Sequence, residues 1–126
     1  MQIQLLAIGK TDKKALQELI DIYQKRLSHY IKFTFIVVPD IKNTKKLDEA
    51  QQKVKEGELL LSKIKSSDTV ILLDEKGQSF NSVGFANYLQ KHMNSGIKTL
   101  IFVIGGPYGF SDDIYQRANG KISLSR

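Results

Sequence analysis

The stretch Thr99-Leu-Ile-Phe-Val-Ile-Gly-Gly-Pro-Tyr-Gly-Phe-Ser111 decides the fold of this 126-residue chain. Its first half, up to Ile104, is apolar or β-branched without alternation, which is typical of a strand covered by helices on both faces. Glycines follow, and Ser111 opens a short helical pattern. Because small residues let a ligand approach backbone N–H groups, such a turn is a common ligand site in α/β sheets. A tight turn without a ligand is the open alternative.

Strand and helix patterns alternate along the rest of the chain. Apolar runs that end at glycine, proline or charged residues predict strands over residues 2–8, 33–38, 68–74, 99–104 and from 121. Apolar spacing of three and four residues predicts helices over 12–30, 48–65, 81–94 and 111–118. This order predicts one α/β domain over residues 1–126, with a parallel-rich sheet and helices on both faces.

Composition excludes several classes of protein and site. The chain has no cysteine, which removes disulfides, thiolate metal sites and cysteine nucleophiles. Two isolated histidines offer little to a metal ion. No apolar run is long enough to span a membrane, and the first residues lack the basic start of a signal peptide. We therefore expect a cytoplasmic protein with no metal and no membrane attachment.

The charge of the chain hints at its partners. The net charge is +6 and the pI is about 9.5. The excess of basic residues lies in the first two thirds of the chain, away from the glycine turn. A basic balance favours a polyanionic partner such as RNA, and an ordinary solvated surface is the alternative.

Four further residues carry predictions of their own. Asp74 and Glu75 follow the third predicted strand, where they are either acid/base groups or simply a solvated turn. Gly57 interrupts a helix at a cost of about 1 kcal/mol, so it indicates close packing or the approach of a ligand. His92 lies off the apolar row of its helix and is predicted to be exposed.

Familiar motifs for nucleotide and serine chemistry are missing from the sequence. It has no G-x-G-x-x-G after the first strand, no phosphate-binding G-x-x-x-x-G-K-[ST] and no G-x-S-x-G. Nucleotide hydrolysis and serine hydrolysis are therefore disfavoured.

Six dispersed motifs resemble those of the bacterial RlmH family. They are Gln4-Leu-Leu-Ala-Ile-Gly-Lys10, Tyr23-x-x-Arg26, Lys55-Glu-Gly-Glu58, Leu72-Leu-Asp74 with Gly77, Phe102-Val-Ile-Gly-Gly-Pro-Tyr-Gly-Phe110 and Ile122-Ser-Leu-Ser125. The resemblance implies a SPOUT-class methyltransferase that uses S-adenosylmethionine to methylate N3 of a pseudouridine in 23S rRNA of the assembled ribosome. It also implies an α/β fold with a C-terminal trefoil knot, and a homodimer.

The resemblance assigns the cofactor contacts to particular residues. These are Leu73, Gly105 of the glycine turn, and the final residues Leu124, Ser125 and Arg126. Such a site would hold the cofactor mainly through backbone groups of strand ends and a glycine turn. Positioning of the methyl donor against the target nitrogen would then supply much of the catalysis.

The sequence departs from the RlmH pattern after Arg126. Chains of that family normally continue with a segment that closes the knot, adds a helix at the dimer interface and carries C-terminal catalytic residues. For these 126 residues we expect an incomplete knot, an impaired activity and no assignable catalytic residue. Two alternatives remain open: a non-catalytic relative that binds ribosomes or RNA, and a chain shortened deliberately for folding studies.

Overall fold

A computed structural model describes residues 2–8, 32–39, 48–80, 82–105 and 108–123 of the chain. The predicted helix over 12–30 and the predicted cofactor residues Leu124, Ser125 and Arg126 lie outside these ranges. The side chains of Glu75 and Ser82 are likewise not described.

Five parallel strands form the sheet of the described residues. They are β1 (Gln2–Ile8), β2 (Lys32–Val38), β3 (Thr69–Ser79), β4 (Thr99–Ile104) and β5 (Gly120–Ser123). Their spatial order is β2-β1-β4-β3-β5, and every neighbouring pair is parallel. Parallel neighbours need crossover connections, which fits the predicted alternation of strands and helices. The predicted α/β class is confirmed.

Three helices are described: α1 (Glu49–Leu61), α2 (Ser82–Asn94) and α3 (Asp112–Arg117). A capping box starts α1, because the Asp48 side chain accepts from the Gln51 N–H at 2.7 Å and the Gln51 side chain accepts from the Asp48 N–H at 3.2 Å. α1 ends four residues before the predicted position, since Lys63 N–H donates to the Leu60 carbonyl at 3.0 Å and so tightens the last turn. Among the described residues, no helix has the length and apolarity to cross a membrane.

The helices cover both faces of the sheet, as predicted. On one face, Phe85 and Leu89 of α2 pack against a buried cluster that includes Phe102 of β4. On the other face, Leu60 of α1 and Ile114 of α3 pack against a second cluster. Neighbouring residues of one strand point to opposite faces, which explains why the continuous apolar run of β4 serves both clusters.

Gly57 allows α1 and α3 to pack closely. A Cβ atom at this position would clash with the Oγ of Ser111 and lie 3.3 Å from Cγ1 of Ile114. Ser111 is buried and caps α3, because its Oγ accepts from the Ile114 N–H at 3.4 Å. Of the two interpretations offered by the sequence, close packing therefore accounts for this glycine.

The third strand is longer than predicted. β3 does not end at Asp74 but runs to Ser79, and the charged residues 74–77 form an irregularity within it. Leu73 and Gln78 both lie opposite Ile122 of β5, so four residues are accommodated without a partner in that pairing. A Cβ atom on Gly77 would lie 2.7 Å from the backbone of Ile122, so only glycine fits there. The prediction of a simple turn failed because the strand resumes only by pairing with the distant β5.

Arg117, at the end of α3, ties that helix to the start of β3. Its Nη2 donates to the carbonyl of Lys65 at 2.8 Å and to that of Asp68 at 2.9 Å. Nearby, the Asn119 side chain accepts from the Val70 N–H at 2.8 Å. These bonds hold α3 and the start of β5 against the start of β3. They thereby constrain the position of the carboxyl-terminal parts of the same two strands.

Candidate functional site

The start of the β3 irregularity and the carboxyl end of β4 bring two of the predicted cofactor residues together. Leu73 of β3 lies opposite Ile104 of β4, and Gly105 follows Ile104 directly. All three residues are half buried, so this edge is accessible from outside the core. Leu73 also lies opposite Ile122 of β5, the strand that precedes Leu124, Ser125 and Arg126. The predicted contact of these last three residues stays a prediction, because they lie outside the described ranges.

The glycine turn is shaped by the packing of Phe110. A Cβ atom on Gly105 would lie 2.9 Å from Cε1 of Phe110 and 3.2 Å from the carbonyl oxygen of Gly109. Phe110 is buried in the core, so its ring has little room to move. Gly109 has a φ of +82°, which side chains rarely adopt. Packing thus explains the identity of Gly105 and the positive φ explains that of Gly109, and the Gly105 backbone is still placed at the accessible edge.

Asp74, the residue after Leu73, is held by Tyr115 of α3. The Tyr115 hydroxyl donates to Oδ2 of Asp74 at 2.5 Å, and the Lys76 N–H donates to Oδ1 at 3.0 Å. These two hydrogen bonds keep the pKa of Asp74 below its ordinary value, because they favour the charged carboxylate over the protonated form. The hydrogen bond between the Tyr115 hydroxyl and Asp74 also raises the pKa of Tyr115 to about 12.

The environment of Tyr115 completes this corner of the site. Its ring meets the ring of Phe110 edge to face, with centroids 5.8 Å apart, and the Nζ of Lys121 lies 5.7 Å from its centroid. The contact with Asp74 spans 41 residues of sequence, and no local spacing indicates it. Sequence reasoning therefore missed Tyr115 as a residue that fixes the sheet edge.

Of the two interpretations of Asp74, the structure supports neither a free acid/base group nor a simple solvated turn. A general base works best with a pKa near the working pH, and the pKa of Asp74 is shifted the other way. Its hydrogen bonds make it a positioning residue for the irregularity within β3. Within the described ranges, His, Asp and Glu side chains nowhere gather into a group that could hold a metal ion.

Known proteins similar to this chain are methyltransferases. The family model described as "Predicted SPOUT methyltransferase" matches residues 1–126. The chain is similar to proteins named "Ribosomal RNA large subunit methyltransferase H": it is 66% identical over 125 residues to that of Flavobacterium johnsoniae and 67% identical over 126 residues to that of Flavobacterium psychrophilum. These alignments cover 99% and 100% of this chain and 80% of each relative. The protein of that name from Porphyromonas gingivalis is 44% identical over 126 residues, again covering 80% of its length.

Proposed function

This chain belongs to the SPOUT methyltransferase family, and from that premise we propose that it transfers a methyl group from S-adenosylmethionine to N3 of a pseudouridine in 23S rRNA. The names of its relatives support large-subunit ribosomal RNA as the substrate. The observation that carries the proposal is the juxtaposition of Leu73 and Gly105 at one accessible edge of the sheet. The non-catalytic alternative is not favoured, because the relatives are named as methyltransferases.

The residues at this edge fit S-adenosylmethionine. Half-buried Leu73 and Ile104 offer an apolar surface, which suits the adenine ring. The backbone of Gly105 follows the last strand pairing, where it can serve a ligand through hydrogen bonds. The carboxylate of Asp74 places a negative charge beside this surface, and the positive sulfonium of the cofactor favours such a neighbour.

Each described residue of the edge has a role in this proposal. When bound, the cofactor supplies an electrophilic methyl group on its sulfonium. Leu73 and Gly105 would hold and orient it, while Tyr115 fixes Asp74 and so fixes the part of β3 next to Leu73. The N3–H of the target must lose a proton, and the lowered pKa of Asp74 and its hydrogen bond to Tyr115 make this carboxylate a weaker base than a free one. Leu124, Ser125 and Arg126 remain proposed contacts.

The RNA partner, the cytoplasmic location and the homodimer predicted in the sequence analysis are part of the same proposal. The net charge of +6 suits a ribosomal RNA surface, because basic side chains release counterions from phosphates. We place the enzyme in the cytoplasm, where its substrate is, and propose a homodimer with a trefoil knot by resemblance to the RlmH family. Sedimentation of the purified chain tests the dimer, with a single monomeric species as the contrary result.

The test of the proposed function separates cofactor binding from methyl transfer. Calorimetric titration with S-adenosylmethionine measures binding, and transfer of a tritiated methyl group to purified large ribosomal subunits measures activity. The Flavobacterium psychrophilum relative, 67% identical, serves as the positive control. Binding and transfer to 23S rRNA support the proposal. Absence of both, with an active relative in the same assay, contradicts it for this chain.

A matched pair of glycine variants tests the predicted site itself. Gly105→Ala would push a methyl group against the ring of Phe110 and displace the turn. We expect at least a 10-fold loss of cofactor affinity. Gly120→Ala makes the same substitution at the start of β5, where the new atom would lie 3.4 Å from Cδ1 of Ile71 in ordinary contact. Unchanged affinity in Gly105→Ala, with both variants folded by circular dichroism, would assign the cofactor to another place.

A further inference from the structure

A second candidate site lies beside α2, away from the glycine turn. Residues of α2, residues near the end of β3 and Asn119, which precedes β5, line an open cleft of about 580 Å³. Its walls include Phe80, Tyr88 and His92, all half buried, and the exposed side chains of Gln78 and Asn87. A cleft of this size accommodates a nucleotide.

Three aromatic rings form a continuous row in this cleft. The centroids of Phe80 and Tyr88 are 5.0 Å apart with their planes at 48°, and those of Tyr88 and His92 are 4.7 Å apart at 70°. Tyr88 and His92 are four residues apart on α2, which places them on one side of the helix. This contact also explains why His92 is half buried and not exposed as the sequence predicted.

The chemistry of the row suits a neutral aromatic ligand. Burial raises the pKa of Tyr88 to about 12, so its hydroxyl keeps its proton at neutral pH and can donate a hydrogen bond. Burial, and to a lesser degree the charge of Lys91, lowers the pKa of His92, so this ring is uncharged at neutral pH. Nucleobases stack on such rings in single-strand binding proteins.

The polar groups of the cleft favour an anion over a cation. Lys91 lines it with an exposed side chain, and no acidic side chain from the described part of the chain does so. Gln78 and Asn87 carry amide groups, which hydrogen bond to base edges in both directions. A polyanionic ligand with aromatic bases matches this combination, and the net charge of the chain has the complementary sign.

The cleft lies on the same face of the sheet as the proposed cofactor edge. Leu73, Phe80 and Tyr88 all pack against the same buried cluster. Leu73 and Gln78 both lie opposite Ile122 of β5. The irregularity of β3 therefore brings the end of the cleft that Gln78 lines level with the cofactor edge. A strand of RNA could therefore reach both places at once.

We propose that this cleft binds an unpaired nucleotide of the ribosomal RNA, with its base stacked on the row of Phe80, Tyr88 and His92 and its phosphate beside Lys91. This inference rests on the proposed function, since it names a contact for the RNA substrate. The cleft would orient the RNA strand that carries the target nucleotide. It would select single-stranded or splayed nucleotides, because a paired base does not expose its face.

The test compares two substitutions of Tyr88. Fluorescence anisotropy with a short fluorescein-labelled oligouridine measures the affinity of the chain for single-stranded RNA. Tyr88→Leu keeps an apolar side chain but removes the ring, and we expect it to weaken binding by about 5- to 150-fold. Tyr88→Phe keeps the ring and should bind within a few-fold of the parent. Loss in both variants, or in neither, would overturn the stacking role.

A matched pair of lysine variants tests the phosphate contact. Lys91→Gln should weaken binding and lower the slope of log affinity against log salt by about 0.7. Lys63→Gln removes the same charge from an exposed position just beyond α1, which covers the other face of the sheet, and should change neither quantity. Equal effects of the two variants would indicate general charge and refute a local site.

Further measurements keep the cleft and the proposed function distinguishable. Cofactor titration should give the same affinity in Tyr88→Leu as in the parent, since Tyr88 lies on α2 and is not one of the residues assigned to the cofactor. If the parent methylates ribosomes while Tyr88→Leu keeps its KM and RNA affinity, the cleft is refuted and the function stands. A change of oligomeric state in Tyr88→Leu would overturn the proposal and assign the cleft to a second copy. If Tyr88→Leu does not fold, His92→Leu makes the same test, with a several-fold loss expected.

Discussion

Replacing Gly57 with alanine sets the local preference of a helix against a tertiary contact. Alanine is favoured over glycine inside a helix by about 1 kcal/mol, so local reasoning predicts that Gly57→Ala stabilises the protein. In the structure, however, the new methyl group would clash with the Oγ of Ser111. Ser111 is buried, and turning its hydroxyl away from the new methyl group would break its hydrogen bond to the Ile114 N–H.

The expected magnitude follows from three contributions. Forcing a methyl group into a packed interface costs about 1–3 kcal/mol. Displacing Ser111 also weakens the cap of α3, since its Oγ accepts from the Ile114 N–H, and loss of such a cap costs about 1 kcal/mol. Setting the helix preference of about 1 kcal/mol against these, we expect Gly57→Ala to lower the free energy of unfolding by about 1–3 kcal/mol.

Urea unfolding followed by circular dichroism measures this difference, and a double-variant cycle identifies its cause. Ser111→Gly removes the clashing oxygen and the Cβ that carries it, so Gly57→Ala in that background should be neutral or stabilising by up to about 1 kcal/mol. The reasoning is refuted if Gly57→Ala raises the urea midpoint in the parent background. It is also refuted if the cost is the same in both backgrounds, because Ser111 would then not be its source.

Three further variants test the contacts around the sheet edge. Tyr115→Phe should cost less than about 1 kcal/mol at neutral pH, because solvent screens this exposed hydrogen bond. It should also return the pKa of Asp74, readable by NMR titration, toward its ordinary 3.8. Because the folded pKa of Asp74 is lowered, its share of this stability is present above pH 3.8 and is lost as the pH falls through the folded value. The folded pKa of Tyr115 is raised, so its contribution to stability is present below pH 10 and is lost as the pH rises through about 12. If the stability difference between parent and Tyr115→Phe stays constant with pH, the contributions of both Asp74 and Tyr115 are contradicted. Arg117→Lys should cost about 1–2 kcal/mol in urea unfolding, because one ammonium does not replace a guanidinium whose Nη2 donates to both carbonyls while its Nη1 donates to Oδ1 of Asn119 at 3.4 Å. An unchanged midpoint would show that these bonds are dispensable. Gly109→Ala should cost about 1–2 kcal/mol, since its φ of +82° strains any side chain, and a neutral result would mean that the turn adopts another conformation at little cost.

The sequence alone determined the class of the fold and marked the glycine turn after β4 as a candidate ligand site. The apolar run of Thr99 to Ile104 and the alternation of helix and strand patterns are local properties, so they can be identified without knowing what packs against them. The family resemblance named Leu73 and Gly105 as cofactor contacts, and the parallel pairing of Leu73 with Ile104 places the two residues close together. The resemblance to a known family added the identity of the ligand to that location.

The tertiary structure decided the features that depend on distant partners. β3 resumes after its irregularity only because β5 pairs with Gln78, and Tyr115 holds Asp74 across 41 residues. His92 became half buried through the ring of Tyr88, against the prediction from its own helix. The spacing of apolar residues shows whether a segment is a helix or a strand and which of its sides is buried. It does not show which side chain of another element contacts that side. Such contacts follow from packing, and they produce both the sheet edge held by Tyr115 and the aromatic cleft.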